Sequence, residues 1–284
     1  MASYFVSPEE LDEIVKSSKD DYLVLDSRTK KEYESGHIPG AVSISWEDWN
    51  EKAPQKTRSI LKSPGYWGKL ACPEEGNFAQ KLGNLGISND RKIIVYGEGK
   101  ASKGREGRIA WMLLYLGHQM VAVLDGGIKS WKALNLPVVK ETPVIKRASF
   151  QIALKPERRL LLKDLVSRLG TDQFPVMLDT RTRNEFEGKV FWYQPNKGRI
   201  PDSHLIVYND IFTEKEHFIS KEAYKTCLPE GYEKASNVGT YCEVGVRTCT
   251  VSLLHEEYTG QVLPVYDGSI MEWSFHKELP LLRK

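Results

Sequence analysis

The chain has little of the residue types that mark several large protein classes. Its 284 residues include four cysteines and no Cys-x-x-Cys pair. In a chain of this length, that count predicts neither a disulfide scaffold nor a structural zinc site. No apolar run approaches the roughly 18 residues that cross a membrane, and the first residues lack a basic region followed by an apolar stretch. We therefore expect a cytoplasmic protein with no bound metal and no membrane partner.

Charge of one sign is also scarce. The 40 lysine and arginine residues nearly balance the 38 acidic residues, which leaves a formal net charge of +2. This balance argues against a nucleic acid partner. The 40% hydrophobic and 27% charged residues are typical of a folded globular protein, and the length allows one large domain or two smaller ones.

Four short motifs occur twice, in the same order along both halves of the chain. Val24-Leu-Asp-Ser-Arg-Thr29 matches Met177-Leu-Asp-Thr-Arg-Thr182, Gly36-His-Ile-Pro-Gly-Ala41 matches Gly198-Arg-Ile-Pro-Asp-Ser203, Ile94-Val-Tyr-Gly97 matches Gly239-Thr-Tyr-Cys242, and Asp125-Gly-Gly-Ile-Lys-Ser-Trp131 matches Asp267-Gly-Ser-Ile-Met-Glu-Trp273. Such a repeat indicates a tandem duplication. We predict a first domain at residues 1–138, a linker at 139–156 and a second domain at 157–284. The linker is predicted because the stretch from Leu136 to Pro156 contains three prolines and few signals of a core.

Within each copy, apolar strand-like runs alternate with helical patterns. The predicted strands are 22–25, 93–96 and 121–124 in the first copy and 176–178, 237–241 and 262–266 in the second. One predicted helix begins after Ser7, and the others cover 78–85, 107–116, 161–169 and 247–258. Apolar strands separated by helices are typical of α/β domains. Each domain is therefore predicted to have a central, mainly parallel sheet flanked by helices on both faces.

The loop from Thr240 to Arg247 is the strongest candidate for chemistry. It follows a predicted strand and precedes a predicted helix, and ligands of such sheets bind beyond the carboxyl ends of the strands. Cys242 thus lies at a helix N-terminus, where backbone N–H groups and the helix dipole favour a thiolate. Gly245 lets the backbone curl around the sulfur. Four residues separate Cys242 from Arg247, one fewer than in cysteine phosphatases, so the ring suits one sulfur atom better than a phosphate.

Together, these motifs resemble those of tandem rhodanese-type sulfurtransferases. The resemblance covers nearly the whole chain. It depends on four elements: the Asp-x-Arg strand ends, the Gly-His-Ile-Pro-Gly-Ala element, the six-residue loop ending at Arg247 and the Asp-Gly-Gly/Ser elements. It implies thiosulfate or 3-mercaptopyruvate sulfurtransferase activity, with an inactive first domain and a catalytic second domain. Gly97 agrees with this, because it occupies the cysteine position of the first copy and cannot form a persulfide. We expect its loop to pack against the second domain.

The implied reaction is a double displacement at Cys242 that requires no metal and no organic cofactor. The thiolate takes the outer sulfur of thiosulfate, and Arg247 stabilises the sulfite that leaves. Cyanide, a thiol or a protein cysteine then removes the sulfur from the enzyme persulfide. The loop residues expected to surround that persulfide are Glu243, Val244, Gly245 and Val246.

Four residues outside the loop complete the predicted site: Asp179, Arg181, Arg199 and His37. Arg181 and Arg199 would add positive potential near the sulfur. For Asp179 with Arg181, we favour a buried pair that fixes the loops over a direct role in binding. Two interpretations of His37 stand side by side: a group that faces the cleft from the first domain, and a structural histidine that caps its own turn.

The choice of donor depends on three positions. Arg247 favours thiosulfate, whereas Glu243 beside the cysteine opposes ionisation of the thiol. In the family, mercaptopyruvate enzymes carry an arginine for the substrate carboxylate a few residues after the second Asp-x-Arg, and the matching position here is Glu185. We predict a thiosulfate sulfurtransferase; a 3-mercaptopyruvate sulfurtransferase is the first alternative. An alternative of another class is a sulfur carrier or regulatory binding module loaded by a partner protein, and the loop length disfavours an arsenate reductase or phosphatase.

Overall fold

The computed structural model describes residues 3–17, 20–53, 67–190, 194–232 and 235–283. The chain divides into two compact units that are not contiguous in sequence. The first unit comprises Met1–Trp49, Cys72–Lys155 and Phe212–Phe218; the second comprises Asn50–Ala71, Pro156–Ile211 and Ile219–Lys284. Each unit therefore includes a short segment from the other half of the sequence, while the predicted boundaries describe contiguous blocks.

The first unit is built on a parallel sheet in the order β1-β5-β4-β2-β3. The strands are β1 (Phe5–Val6), β2 (Tyr22–Asp26), β3 (Val42–Ser43), β4 (Lys92–Tyr96) and β5 (Val121–Leu124). The helices are α1 (Pro8–Ser17), α2 (Lys30–Ser35), α3 (Phe78–Asn84), α4 (Arg105–Tyr115) and α5 (Gly127–Ala133). Strands β4 and β5 lie inside the sheet and are apolar, as parallel strands covered on both faces must be.

The second unit repeats this arrangement with a parallel sheet in the order β6-β10-β9-β7-β8. Its strands are β6 (Arg159–Leu160), β7 (Val176–Asp179), β8 (His204–Leu205), β9 (Val238–Tyr241) and β10 (Val265–Tyr266). Its helices are α6 (Leu162–Val166), α7 (Arg183–Phe186), α8 (Lys221–Cys227), α9 (Arg247–Thr259) and α10 (Ser269–Phe275). The matching strand order confirms the predicted α/β duplication.

Two predicted elements of the second half are shorter in the structure. The strand predicted at 262–266 is reduced to β10, since Pro264 has no N–H to donate to a neighbouring strand. The helix predicted at 161–169 ends with α6, and the chain continues in tight turns in which Arg168 donates to the carbonyl of Leu165.

Each sheet is packed on a buried tryptophan at the same position of the repeat. Trp131 and Trp273 are fully buried in the two apolar cores. Each indole N–H donates at 2.9 Å to a backbone carbonyl, that of Pro137 in the first unit and that of Pro280 in the second. Because a buried indole needs such an acceptor, the turn after each last helix is fixed against the core. Within the described residues, no helix is long and apolar enough to cross a membrane.

The segment predicted as a linker, residues 139–156, runs along the first unit. It contains no α-helix, but Val139 pairs with His37 in an antiparallel bridge. Farther on, the N–H of Ala153 donates to the carbonyl of Leu116 at 2.9 Å. These bonds fix the segment to the unit that precedes it.

We call Phe212–Phe218 in the first unit and Asn50–Ala71 in the second unit the exchanged segments, because each comes from the other half of the sequence. Each exchanged segment contacts the aspartate of the Asp-Gly motif in its unit. In the first unit, the N–H of Phe218 donates to Asp125 at 3.0 Å, and the His217 ring nitrogen lies 3.0 Å from the same carboxylate. In the second unit, the N–H of Leu70 donates to Asp267 at 2.6 Å. The duplicated aspartate therefore accepts a backbone N–H from the exchanged segment in both units.

Candidate active site

Cys242 is the first residue beyond β9, at the carboxyl edge of the second sheet and before α9, as the sequence predicts. Its side chain is almost fully buried, and the N–H of Gly245 lies 3.2 Å from its Sγ atom. Gly245 has φ +74, and a Cβ atom there would lie 2.3 Å from the carbonyl oxygen of Asp267. Glycine is thus required both for the left-handed turn and for the close approach of the two backbones.

The first turn of α10 holds the backbone of the cysteine loop. The N–H of Cys242 donates to the Ser269 hydroxyl at 3.1 Å, and its carbonyl accepts the N–H of Ile270 at 3.2 Å. The carbonyl of Glu243 accepts the N–H of Met271 at 3.0 Å. These three bonds fix the direction in which the strand delivers the cysteine.

Ser269 adopts a backbone conformation that favours glycine. Its φ is +55, and the corresponding residue of the first unit, Gly127, has φ +59. A Cβ atom on Gly127 would lie 2.4 Å from the N atom of Gly99 in the longer loop of that unit. The shorter cysteine loop leaves room for a side chain, and Ser269 uses it to accept the N–H of Cys242. Strain of this kind is characteristic of functional sites.

A segment from the first half of the sequence lies against the same loop. The backbone of Gly68 approaches the carbonyl of Val244 so closely that a Cβ atom on Gly68 would overlap it. Arg159 bonds both to the carbonyl of Leu70, at 2.8 Å, and to Asp267, at 2.9 Å. Val244 and Val246 are both buried, and the loop is covered at Val244 by this segment.

Arg247, the last residue of the loop, is engaged by a carboxylate. Its two terminal nitrogens donate to the two oxygens of Glu185 at 3.0 and 2.8 Å, and Glu243 lies 3.9 Å away. Burial by itself would raise the pKa of Glu185, but the bonds and charge of Arg247, with donors from Thr182, lower that pKa to about 2. The cation expected to face a leaving sulfite is therefore already paired with an ionised carboxylate.

Asp179 and Arg181 form a buried pair at the end of β7. The Nε atom of Arg181 donates to Asp179 at 2.9 Å, and the NH2 group donates to Asp179 at 2.7 Å and to the carbonyl of Gly198 at 3.0 Å. Arg28 makes the same bonds with Asp26 in the first unit. Because the first unit keeps the pair although Gly97 replaces the cysteine of its loop, we interpret Asp179 with Arg181 as a structural pair that fixes the loops.

The described contacts of Arg199 and His37 are with residues outside the cysteine loop. The Arg199 guanidinium is 4.4 Å from the centre of the Phe186 ring. His37 belongs to the first unit and is fully buried, with its ring nitrogens 3.0 Å from the carbonyl of Tyr33 and 3.2 Å from that of Glu141. These contacts match the structural interpretation of His37.

In the first unit, a carboxyl group occupies the place of the thiol. The carbonyl of Gly97 accepts the N–H of Ile128 at 2.9 Å, as that of Cys242 accepts Ile270. A Cβ atom on Gly97 would lie 2.4 Å from the Glu106 carboxyl, which is hydrogen bonded to Ser102. Burial raises the pKa of Glu106 to about 7. The loop of this unit therefore lacks both the nucleophile and the space for it.

Three residues of this site were missed or misread from the sequence: Glu185, Ser269 and Asp267. Glu185 was noted only as the position that lacks an arginine, and Ser269 marks the point where the repeated Asp-Gly-Gly becomes Asp-Gly-Ser. This replacement of a glycine by a serine within the motif is the signal that could have indicated a role for Ser269. In the part of the chain that the structure describes, no group of three or more His, Cys, Asp or Glu residues is arranged to hold a metal ion.

The profile of the rhodanese-like domain matches residues 7–134 and again residues 161–276. The chain belongs to the rhodanese-like family. Among its relatives, thiosulfate sulfurtransferase of Gallus gallus is 29% identical over 252 residues, which cover 88% of this chain and 82% of the relative. The 3-mercaptopyruvate sulfurtransferase of Mus musculus is 28% identical over 252 residues, which cover 86% and 79%. The resemblance inferred from the motifs is confirmed.

The crystal structure of YnjE has the same fold as this rhodanese-like chain. The two superimpose with a TM-score of 0.82 over 99% of this chain and 68% of that chain, at 23% sequence identity. Sulfurtransferases named for two different donors are thus related to this rhodanese-like protein at similar identity. The family is that of sulfurtransferases, and the choice of donor has to be argued from the site.

Proposed function

We propose that the protein transfers a sulfane sulfur from a small donor to a thiophilic acceptor through a persulfide on Cys242. The observation that carries this proposal is the hydrogen bond of 3.2 Å from the Gly245 N–H to the Cys242 sulfur, at the N-terminus of α9. An N–H group and a helix N-terminus directed at a sulfur both favour its anionic form. The same features would stabilise the terminal sulfur of a persulfide.

The reaction proposed is a double displacement in two balanced steps. The Cys242 thiolate attacks the outer sulfur of thiosulfate, the S–S bond of the donor breaks, and its electron pair leaves with sulfite. Cyanide or a thiolate then attacks the outer sulfur of the persulfide, and the Cys242 thiolate is regenerated. Neither step calls for a metal or an organic cofactor. A protein thiol can act as the acceptor in the same chemistry. The cytoplasmic location stays a prediction.

Thiosulfate is proposed as a donor in preference to 3-mercaptopyruvate. The position at which mercaptopyruvate enzymes carry an arginine is occupied by Glu185, whose carboxylate binds Arg247. The carboxylate of 3-mercaptopyruvate would therefore lack its usual cationic partner. Turnover with the two donors and cyanide as acceptor tests this point. A clear preference for 3-mercaptopyruvate would contradict it.

The central claim is tested by mass spectrometry after incubation with thiosulfate. We expect one added sulfur on the peptide that contains Cys242, and no such addition in the Cys242→Ser variant. The matched control is Cys227→Ser, which changes a partly exposed cysteine of the same unit and should keep both the addition and the turnover. Sulfur transfer that survives in Cys242→Ser would contradict the proposed function. Negligible turnover with both small donors, together with loading from a protein persulfide, would instead support the sulfur-carrier alternative.

A further inference from the structure

The carboxylate of Asp267 holds the exchanged segment of the second unit by its backbone. It accepts the N–H of Leu70 at 2.6 Å. Arg159 donates to both oxygens of this carboxylate, at 3.1 and 2.9 Å, and to the carbonyl of Leu70 at 2.8 Å. Asp267 and Leu70 are each 1% exposed. Because the N–H and the carbonyl of one buried residue are both bound by this ion pair, the segment is fixed at Leu70.

The same segment lies on the cysteine loop two residues earlier. A Cβ atom on Gly68 would lie 1.5 Å from the carbonyl oxygen of Val244, so the two backbones are in direct contact. Between these two points, the Lys69 amine lies 3.1 Å from an oxygen of Glu272 in α10. Helix α10 also holds the backbone of the cysteine loop through the N–H groups of its first turn. The segment and α10 therefore both support the loop, and they are joined to each other.

Asp267 also contacts the loop with its own backbone. A Cβ atom on Gly245 would lie 2.3 Å from the carbonyl oxygen of Asp267 and 2.8 Å from its Cα atom. Gly245 is the residue whose N–H lies 3.2 Å from the Cys242 sulfur. Asp267 therefore binds the exchanged segment with its side chain, and its backbone supports the turn that directs an N–H at the nucleophile.

The first unit has the same anchor but a different loop contact. Asp125, the counterpart of Asp267, accepts the N–H of Phe218 from the other exchanged segment at 3.0 Å. The loop of this unit is longer, and a Cβ atom on its Gly99 would lie 2.8 Å from the carbonyl oxygen of Gly126, the residue after the aspartate. In the unit that carries the cysteine, the loop packs on the anchoring aspartate itself.

We propose that Asp267 is a positioning residue for Cys242, and that its bonds to Leu70 and Arg159 keep the Gly245 N–H directed at the sulfur. This inference rests on the proposed function, since it concerns the same nucleophile. Glycine allows the left-handed turn but leaves it free to move, and contact with a fixed backbone removes that freedom. A displacement of about 1 Å at a catalytic group can cost a large part of the rate.

The first test compares Asp267→Asn with the wild type in the pH dependence of kcat/KM for thiosulfate, with cyanide as acceptor. Asparagine keeps an oxygen that accepts the N–H of Leu70 but breaks the ion pair with Arg159. If the Gly245 N–H loses its direction, the thiolate is less stabilised. The acidic limb of the profile should then move upward by roughly one pH unit, and kcat should fall roughly tenfold. An unchanged limb and kcat in a folded variant would overturn the proposal.

The matched control is Asp125→Asn in the first unit. Asp125 binds the other exchanged segment through Phe218 and His217, and its unit has Gly97 in place of the cysteine. The control therefore imposes the same loss of charge on the same kind of anchor. Both variants should lower Tm, but only Asp267→Asn should move the acidic limb. An equal shift in both variants would contradict a specific role for Asp267.

A milder variant serves if Asp267→Asn does not fold. Arg159→Lys keeps the positive charge beside the carboxylate, but lysine lacks the planar fork that holds Asp267 and the Leu70 carbonyl together. It should move the acidic limb in the same direction by a smaller amount, and an unchanged limb would then overturn the proposal.

Mass spectrometry of the wild type after incubation with thiosulfate separates the two claims. A persulfide on Cys242, together with an acidic limb that does not move in the variant, contradicts only the role of Asp267. The absence of a persulfide in the wild type contradicts the proposed function itself.

Discussion

The buried carboxyl of Glu106 predicts how the stability of the first unit depends on pH. Glu106 lies beneath Gly97, is 2% exposed and is hydrogen bonded to Ser102. Burial raises its pKa from an ordinary value of 4.5 to about 7. Between these values the folded chain keeps the proton and the unfolded chain has lost it. The contribution to stability is therefore full below pH 4.5 and is lost as the pH rises through 7.

The size of the effect follows from the difference between the two pKa values. Each pKa unit corresponds to about 1.4 kcal/mol, so the unfolding free energy of the unit should fall by about 3 kcal/mol between pH 4 and pH 8. Glu106→Gln removes the titration and keeps a group that can bond to Ser102. The variant should match the wild type near pH 4 and be more stable than it at pH 8, by up to about 3 kcal/mol.

Hydrogen exchange of the α4 amides, measured from pH 4 to pH 8, reports on this unit separately from the rest of the chain. The control is Glu9→Gln, which changes an exposed carboxylate in the first turn of α1 in the same unit. It should leave the pH dependence as in the wild type. Parallel stability curves for the wild type and Glu106→Gln would refute the reasoning.

Three further predictions concern the second unit. Burial lowers the pKa of His255 to about 4, so stability should be lost as the pH falls from about 6.5 to 4, by up to about 3 kcal/mol, and His255→Gln should flatten that acid limb in denaturant titrations. Ser269→Gly relieves a left-handed backbone worth about 1 kcal/mol but leaves the buried N–H of Cys242 without its acceptor, which costs about 1–3 kcal/mol, so both thermal stability and kcat should fall; unchanged kcat would contradict the role of the hydroxyl. Gly245→Ala places a Cβ atom 2.3 Å from the Asp267 carbonyl and should lower both Tm and turnover, whereas Gly170→Ala, with φ +77 and open space around it, measures the backbone cost alone.

The inner strands of both sheets and the cysteine loop could be predicted because their signals are local, whereas the two-residue edge strands β1, β3, β6 and β8 were not predicted. A short apolar run such as that of β4 or β9, bounded by polar and glycine residues, fits only a buried strand in an α/β pattern. The repeat then placed Cys242 at a strand end and Gly97 at the same point of the first copy. The position of the nucleophile thus followed from the order of the residues along the chain.

The pairing of Arg247 with Glu185 had no such signal. The two residues are 62 positions apart, and the capping-box pattern of α7 predicts a helix start but not which side chain completes the carboxylate. The transfer of Asn50–Ala71 to the second unit is hidden for the same reason. Its contacts are with residues far away in sequence, and such contacts produce no hydrophobic periodicity within the segment itself.

The exchanged segments also bear on how the chain folds during synthesis. Asp125 bonds to the N–H of Phe218, which is 93 residues farther along the chain. When the first unit leaves the ribosome, this carboxylate still lacks its partner, and the unit can be completed only after most of the second half has been made. A gene cut between the two halves would separate Asp125 from Phe218 and Asp267 from Leu70. Two co-expressed half-chains should therefore become soluble together to a greater extent than either does alone, although the sequence repeat suggests that each half is a complete domain.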